Sequence, residues 1–196
     1  MVDNRRRRTA SDQVSAALLG AAESVLDRAG AKGVTIRAVA READVAPMGV
    51  YNRFENKEGL LAELAIRALD ELAAAIDVPA DVEPVERFRL ACRGYREFAL
   101  QHPARYSLIF AAGSPLENTS SAAATRGRAV FGVLVDLVRR LTSGGAAVDP
   151  VEAAQAVWSA VHGAVTIEQA SIGQTTDAAT SFERMLDILI DGISAG

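Results

Sequence analysis

Cysteine is almost missing from this 196-residue chain, where Cys92 stands alone. One thiol excludes an internal disulfide framework and fits a reducing compartment. Histidine is nearly as scarce: His102 and His162 are the only two. Without a supporting cysteine or carboxylate motif they make no metal site, so neither a metal nor a cofactor is expected. Aromatic residues form 5% of the chain, and no apolar run approaches the ~20 residues that span a bilayer. The basic start MVDNRRRR is not followed by the apolar core of a signal peptide. The expectation is a soluble cytoplasmic protein without a membrane partner.

What the chain does contain is aliphatic residues, with 49% hydrophobic content dominated by Ala, Val and Leu. That composition suggests packed helices, and the length allows a substantial core without staples. The formal net charge of −4 alone argues against a nucleic-acid partner, but its distribution is uneven. Residues 1–60 carry ten basic against eight acidic side chains, and residues 61–196 carry eleven against seventeen. The attractive end for a polyanion is the N-terminal one.

Asp3 to Ala10 reads as a polar, Arg-rich arm. From Ser11 the residues Val14, Ala17, Leu18, Ala21, Ala22, Val25 and Leu26 share one helical stripe, which Gly30 and Gly33 close. Thr35 suits an N-cap, with Ile36, Val39 and Ala40 facing inward behind it. Asp44 and Val45 make a turn, and Pro47 opens a helix to about Phe54. Asn56 can cap a longer helix to about Ile76, and Asp77 to Pro84 is a boundary with two prolines. Further helices are expected near Val85–Gln101, Tyr106–Ala111, Ser121–Leu141, Pro150–Ser171 and Asp177–Ile193, with Ser-Gly-Gly after Leu141. There is no strand alternation and no internal repeat. The expected fold class is all-α with about nine helices, divided into 1–56, a connecting helix and boundary at 57–82, and a larger body at 83–196.

The stretch Thr35 to Leu60 carries the chemistry. Two short helices around a tight turn can lay the second in the major groove of DNA while the first braces it. Bulk near the start of a recognition helix limits its depth. Pro47, Met48 and Gly49 supply a fixed first turn, a flexible apolar side chain and no side chain at all. Met48 can touch a thymine methyl, and Asn52 one turn on can pair with adenine. Tyr51, Arg53 and Lys57 can reach phosphates, which set register without reading sequence. Thr35 adds a second phosphate contact, and Arg37 reaches a guanine edge or the backbone, or is an ordinary exposed residue. Arg5–Arg8 fit either a minor-groove arm or a solvated tail.

These residues resemble the tetracycline-repressor-like family of bacterial transcription regulators. The pattern runs through Thr35, Ile36, Val39, Ala40, Ala43, Val45, Gly49, Tyr51, Phe54, Lys57, Glu58 and Leu60, within residues 11–64. Two positions depart from it. The family usually has glycine where this chain has Asp44, and often a capping serine where it has Ala46. Asp tolerates the left-handed region better than most residues. Losing the serine cap costs roughly 1 kcal/mol, partly offset by Pro47. The resemblance implies a homodimer whose C-terminal body binds a small molecule and releases double-stranded operator DNA.

In the body, Tyr95, Phe98 and His102 share a helix face, and Tyr106 and Phe110 repeat that spacing. Trp158 and His162 sit four apart, before Gly163. His-Pro-x-x-Tyr at 102–106 with Trp-x-x-x-His-Gly at 158–163 resembles the Trp-His-Gly subclass of the same family. Together the seven suit a pocket for an apolar or aromatic effector, or are plain core. The face of Ala153, Ala154, Ala156, Val157, Ala160 and Val161, with Phe182, Met185, Leu186, Leu189 and Ile190, suits a four-helix dimer interface or the monomer's own core. Cys92 lies in an apolar helical stretch and reads as buried packing rather than a nucleophile, so catalysis is not expected. Asn118-Thr119-Ser120 matches a glycosylation acceptor, yet nothing else points to secretion. The alternative from another class is a helical interaction or scaffold protein without DNA binding.

Overall fold

The computed structural model describes residues 2–141 and 149–194, without the side chains of the first twelve positions. Among them are nine α-helices and no strand. In chain order these are α1 Val2–Gly33, α2 Ile36–Glu42, α3 Pro47–Phe54, α4 Lys57–Ile76, α5 Pro84–Gln101, α6 Pro103–Phe110, α7 Ala122–Leu141, α8 Pro150–Gln169 and α9 Ala178–Ser194. A single 3₁₀ turn, Pro115–Glu117, precedes α7. The Ser-Gly-Gly expected after Leu141 falls outside the described residues.

The chain forms two compact units, Met1–Ala68 with Ala104–Thr125, and Leu69–Pro103 with Arg126–Gly196. The first has a core of Leu18, Ala22, Val25 and Leu26 from α1, Val39 and Ala40 from α2, Val50 and Phe54 from α3, and Leu60 and Leu64 from α4. Leu108 and Ala123 join the same cluster, so α6 packs in this unit rather than in the body. Two acids one turn apart on α1 fasten it further. Glu23, only 8% exposed, meets Arg67 of α4 at 2.5 Å, and Asp27 takes a two-point bond from Arg105 of α6.

Two details of α1 correct the sequence reading. The arm expected at 3–10 has helical backbone continuous with α1, and the side chains of Arg5–Arg8 lie outside the described residues. Arginine is a good helix former, and no glycine or proline interrupts the stretch. The apolar stripe also starts later than expected. Val14 is 58% exposed and Ala17 is exposed, while Ser15 is buried. Regular helix breaks where expected, at Gly30 with φ 65°.

Local signals set the remaining boundaries. Glu83, Asp149 and Asp177 accept backbone N–H groups at the starts of α5, α8 and α9, and Pro84 and Pro150 occupy first-turn positions. At the end of α8, Ile172 N–H bonds to Ile167 C=O and Ser171 N–H to Glu168 C=O, with Ser171 at φ 55°. This is a Schellman motif, and the isoleucine pair that flanks it is the kind of apolar pair such motifs favour.

In the second unit α5 packs against α8, and α8 against α9. Phe88, Ala91, Cys92, Tyr95, Phe98 and Ala99 of α5 are buried with Ala153, Ala154, Val157, Val161 and Val165 of α8 and Phe182, Leu186 and Ile190 of α9. The apolar faces of α8 and α9 are therefore divided. Ala153, Ala154, Val157, Val161, Phe182, Leu186 and Ile190 close the monomer core, while Ala156 is exposed and Ala160, Met185 and Leu189 are part-exposed. A row of arginines on α5 fixes the packing. Arg89 bonds Asp187 at 2.7 Å, Arg93 grips Glu183 at two points, and Arg96 does the same to Glu168.

Where the end of α4 meets α5, the helices touch backbone to side-chain position. A Cβ on Gly94 would stand 2.0 Å from the carbonyl oxygen of Ala75. Backbone cannot yield as a side chain does. Gly94→Ala is expected to lower stability by about 2–3 kcal/mol, read as a drop in the urea midpoint. An unchanged midpoint would mean the two helices do not approach this closely.

Candidate functional site

α3 has eight residues, and the core holds only two of them, Val50 and Phe54. These lie four apart, so one narrow stripe anchors the helix and the rest points outward. Pro47, Met48, Gly49, Tyr51, Asn52 and Arg53 are all exposed, Met48 by 65% and Tyr51 by 47%. A methionine and a tyrosine this open on a short helix lie outside the core formed by the described residues. Nor does Gly49 have an internal reason to lack a side chain, since a Cβ there would meet nothing within 4 Å. The smooth, open start of α3 suits a surface that comes from outside.

The turn before α3 is tightly specified. Val45 N–H bonds to Ala40 C=O and Asp44 N–H to Arg41 C=O, with Asp44 at φ 52°. This Schellman motif closes α2 and reverses the chain within four residues. Ala46 caps α3 without a side-chain bond, and Pro47 sits in its first turn, both as expected from sequence. On the other side of α2, the Thr35 Oγ accepts the N–H of Ala38 at 3.1 Å. Its own O–H remains able to donate outward. Asn56 caps α4 by accepting the Gly59 N–H at 2.7 Å.

Charge on this face is open. Among the described residues, Arg37, Arg53 and Lys57 have no carboxylate within ion-pair distance, in contrast to the paired arginines of α5. Arg53 lies 5.8 Å from the Phe54 ring. Arg28 is occupied by Glu42 at 2.6 Å, and this bond holds the Glu42 carboxyl below its usual range. Arg41, four residues after Arg37 and equally exposed, shares that flank of α2; sequence reasoning passed over it, although its spacing was visible.

The aromatic residues of the body fall into three groups. Tyr95, Trp158 and His162 form one hydrogen-bonded cluster. The Trp158 indole Nε1–H donates to the Tyr95 hydroxyl oxygen at 3.3 Å, and that hydroxyl lies 3.1 Å from His162 Nδ1. Burial pushes the His162 imidazole below its ordinary pKa. A neutral ring accepting at Nδ1 from Tyr95 carries its proton on Nε2. Phe131 of α7 stands 6.1 Å from Trp158 and adds a ring that no motif marked. Phe98 and His102 form the second group, centroids 5.5 Å apart, with the His102 N–H also closing α5 on Phe98 C=O. Tyr106 and Phe110, 4.9 Å apart, belong to the unit that holds α1–α3.

Cys92 is buried, and burial pushes its thiol up to about 12, far from a thiolate nucleophile at neutral pH. Among the described residues no group of three or more His, Cys, Asp or Glu is placed to hold a metal ion. No described helix is long and apolar enough to cross a membrane.

Comparison with known proteins agrees with this geometry. Residues 18–64 match the family described as bacterial regulatory proteins, tetR family, and residues 88–189 match the tetracyclin repressor-like C-terminal domain. The C-terminal match carries that general description and does not indicate the Trp-His-Gly subclass. The chain is 29% identical over 172 residues to an uncharacterised HTH-type transcriptional regulator of Mycobacterium tuberculosis, covering 86% of this chain and 76% of that one. It is similar to BioQ of Mycobacterium smegmatis, with 29% identity, a TM-score of 0.66, and 91% and 96% of the two chains covered. BioQ is also known with its double-stranded DNA operator, a structure 28% identical to this chain, with the same coverage and a TM-score of 0.66. A TetR variant from Acinetobacter baumannii in complex with minocycline shares the fold at 24% identity and a TM-score of 0.65, covering 91% and 94%. With an all-α architecture, an open recognition helix and both halves matched, the chain belongs to the tetracycline-repressor family of DNA-binding transcriptional regulators and is not an enzyme.

Proposed function

We propose that this regulator is a homodimeric repressor that leaves a palindromic operator when a small molecule occupies its body. The observation that carries the DNA reading is α3, held by Val50 and Phe54 alone and open everywhere else. In this reading residues 1–56 are the reader, 57–82 connect, and 83–196 sense and dimerise. Met48, Gly49 and Asn52 face bases. Tyr51, Arg53 and Lys57 hold the backbone, with Thr35 donating its O–H to a second phosphate and Arg37 beside it. The BioQ operator complex supports double-stranded DNA as the partner.

The outward face of α8 and α9 supports the dimer. Ala160, Met185, Ile188 and Leu189 line an open apolar groove, and Ile188 is 65% exposed. A two-fold pair of such faces would set two α3 helices on the half-sites of a palindrome. The effector reading rests on the Tyr95–Trp158–His162 cluster, whose Trp and His rings are only part-buried. Part-exposed Trp158 and His162 rings offer an aromatic ligand a stacking surface. The Trp158, His162 and Gly163 spacing also supports placing the body in the Trp-His-Gly subclass. Release would follow if the ligand favours a body state that swings α4 and changes the spacing of the two readers. DNA and ligand would then oppose each other by one reciprocal coupling energy.

Footprinting on DNA around the chain's own coding region tests the reading first, with protection of a palindrome expected and none on a scaffold protein. Asn52→Ala is expected to erode discrimination between operator and random DNA, while Lys57→Ala weakens both alike and lowers the salt slope by about one. Equal losses for both variants on both DNAs would end this division of roles. Ile188→Glu is expected to yield monomers in sedimentation and to weaken operator binding by about a hundredfold; a variant that stays dimeric would move the interface elsewhere.

His162 gives a pH signature. A base whose folded pKa is depressed takes up its proton more readily unfolded, so its stabilising contribution is present above the ordinary histidine range. It is lost as pH falls through about 6.5. Urea midpoints are therefore expected to fall between neutral and mildly acidic pH, and His162→Gln to flatten that fall. An unchanged pH profile in the variant would remove His162 as the titrating group.

A further inference from the structure

The turn that aims α3 carries an acid its geometry does not need. Asp44 is the left-handed residue of the Schellman motif between α2 and α3, a position that glycine or asparagine fills as well. Its side chain is exposed, and among the described residues it makes no hydrogen bond or ion pair. Asp44 shares this end of the unit with three other acids, of which Glu55, at the C-cap of α3, is equally exposed. Glu42 is bound by Arg28, and Glu58 lies in the first turn of α4, where the helix dipole favours it. Asp44 stands four residues before Met48, so the backbone path between them is at most about 14 Å. A duplex met by the start of α3 therefore comes within one to two screening lengths of this carboxylate, the Debye length being ~8 Å at physiological salt.

We propose that Asp44 is an affinity-limiting charge: repulsion between its carboxylate and DNA phosphates holds down binding to duplex of any sequence. The inference rests on the reading of α3 as the DNA face. It assigns Asp44 no base contact. The repulsion is long-range and independent of sequence, so it acts on every duplex, and the contacts of Asn52 and Met48 are left to separate operator from the rest. Part of the attraction of Arg37, Arg53 and Lys57 for the duplex is thereby cancelled. The residue thus has two separable properties, a backbone conformation that closes α2 and a charge that opposes DNA.

Asp44→Asn separates them, because asparagine keeps the tolerance for the left-handed region and loses the charge. Asp44→Gly removes the charge and the Cβ together. Asp81→Asn, in the exposed α4–α5 connection, changes net charge equally but far along the chain from α3. All four proteins would be titrated with a short duplex of random sequence and with DNA upstream of the coding region, across a salt series. Asp44→Asn and Asp44→Gly are expected to bind both duplexes about two- to fivefold more tightly at low salt, with a gain that fades as salt rises. Asp81→Asn is expected to match wild type. Three results would overturn the proposal: no gain in Asp44→Asn, a gain in Asp44→Gly alone, or an equal gain in Asp81→Asn. Wild-type protein that binds neither duplex in a salt-dependent way would instead overturn the DNA reading of α3, and this inference with it.

Discussion

Two buried side chains decide what the N-terminal unit can do. Val50 and Phe54 are the only residues of α3 in the core, and they meet the stripes of α1, α2 and α4 there. A helix of eight residues has little stability of its own in water. Its conformation therefore comes from that anchorage and from the Schellman turn that delivers the chain to Pro47. A wider apolar stripe would hold the helix more firmly but would draw Met48, Tyr51 or Arg53 inward. The narrow stripe exchanges helix stability for exposed surface, and exposed surface is what a reader of base edges requires.

The local parts of this arrangement were legible in the sequence. Thr35, Pro47 and Asn56 act within three or four residues, through caps and fixed dihedrals that a sequence displays directly. The inward trio of α2, Ile36, Val39 and Ala40, follows from helical spacing alone, and the structure buries all three. At the start of α1 the same rule misled, because Val14 and Ala17 belong to the spacing but are exposed, while Ser15 between them is buried. Periodicity names a face. It does not say how far along the helix that face is covered.

Long-range pairing was out of reach for the same reason. Tyr95 and His162 are 67 residues apart, Arg96 and Glu168 are 72 apart, and Arg89 and Asp187 are 98 apart. Nothing in the residues of α5 says which arginine meets which acid, and no motif placed Phe131 of α7 against Trp158. The division of the apolar faces of α8 and α9 was likewise undecided, since small and aliphatic residues suit a monomer core and a dimer seam equally. Only packing separates Val157 and Leu186, which are buried, from Ile188, which is open. The grouping of Tyr106 and Phe110 with the DNA-reading unit has the same origin: spacing joined them to Tyr95, while contacts joined α6 to α1.

That regrouping bears on how a signal would travel in the proposed mechanism. The chain passes from one compact unit to the other after Ala68, after Pro103 and after Thr125. The first passage lies inside α4 and the third inside α7, each a helix of 20 residues. A loose linker would let one unit change without consequence for the other, whereas a passage inside a helix carries a shift or rotation along its axis. On the reader's side, α1 grips both the departing and the returning segment, α4 through Glu23–Arg67 and α6 through Asp27–Arg105. Movement of either segment would therefore act on α1, whose core residues share one apolar cluster with Val50 and Phe54. In that mechanism a change in the body would reach the recognition helix through the apolar cluster that anchors it.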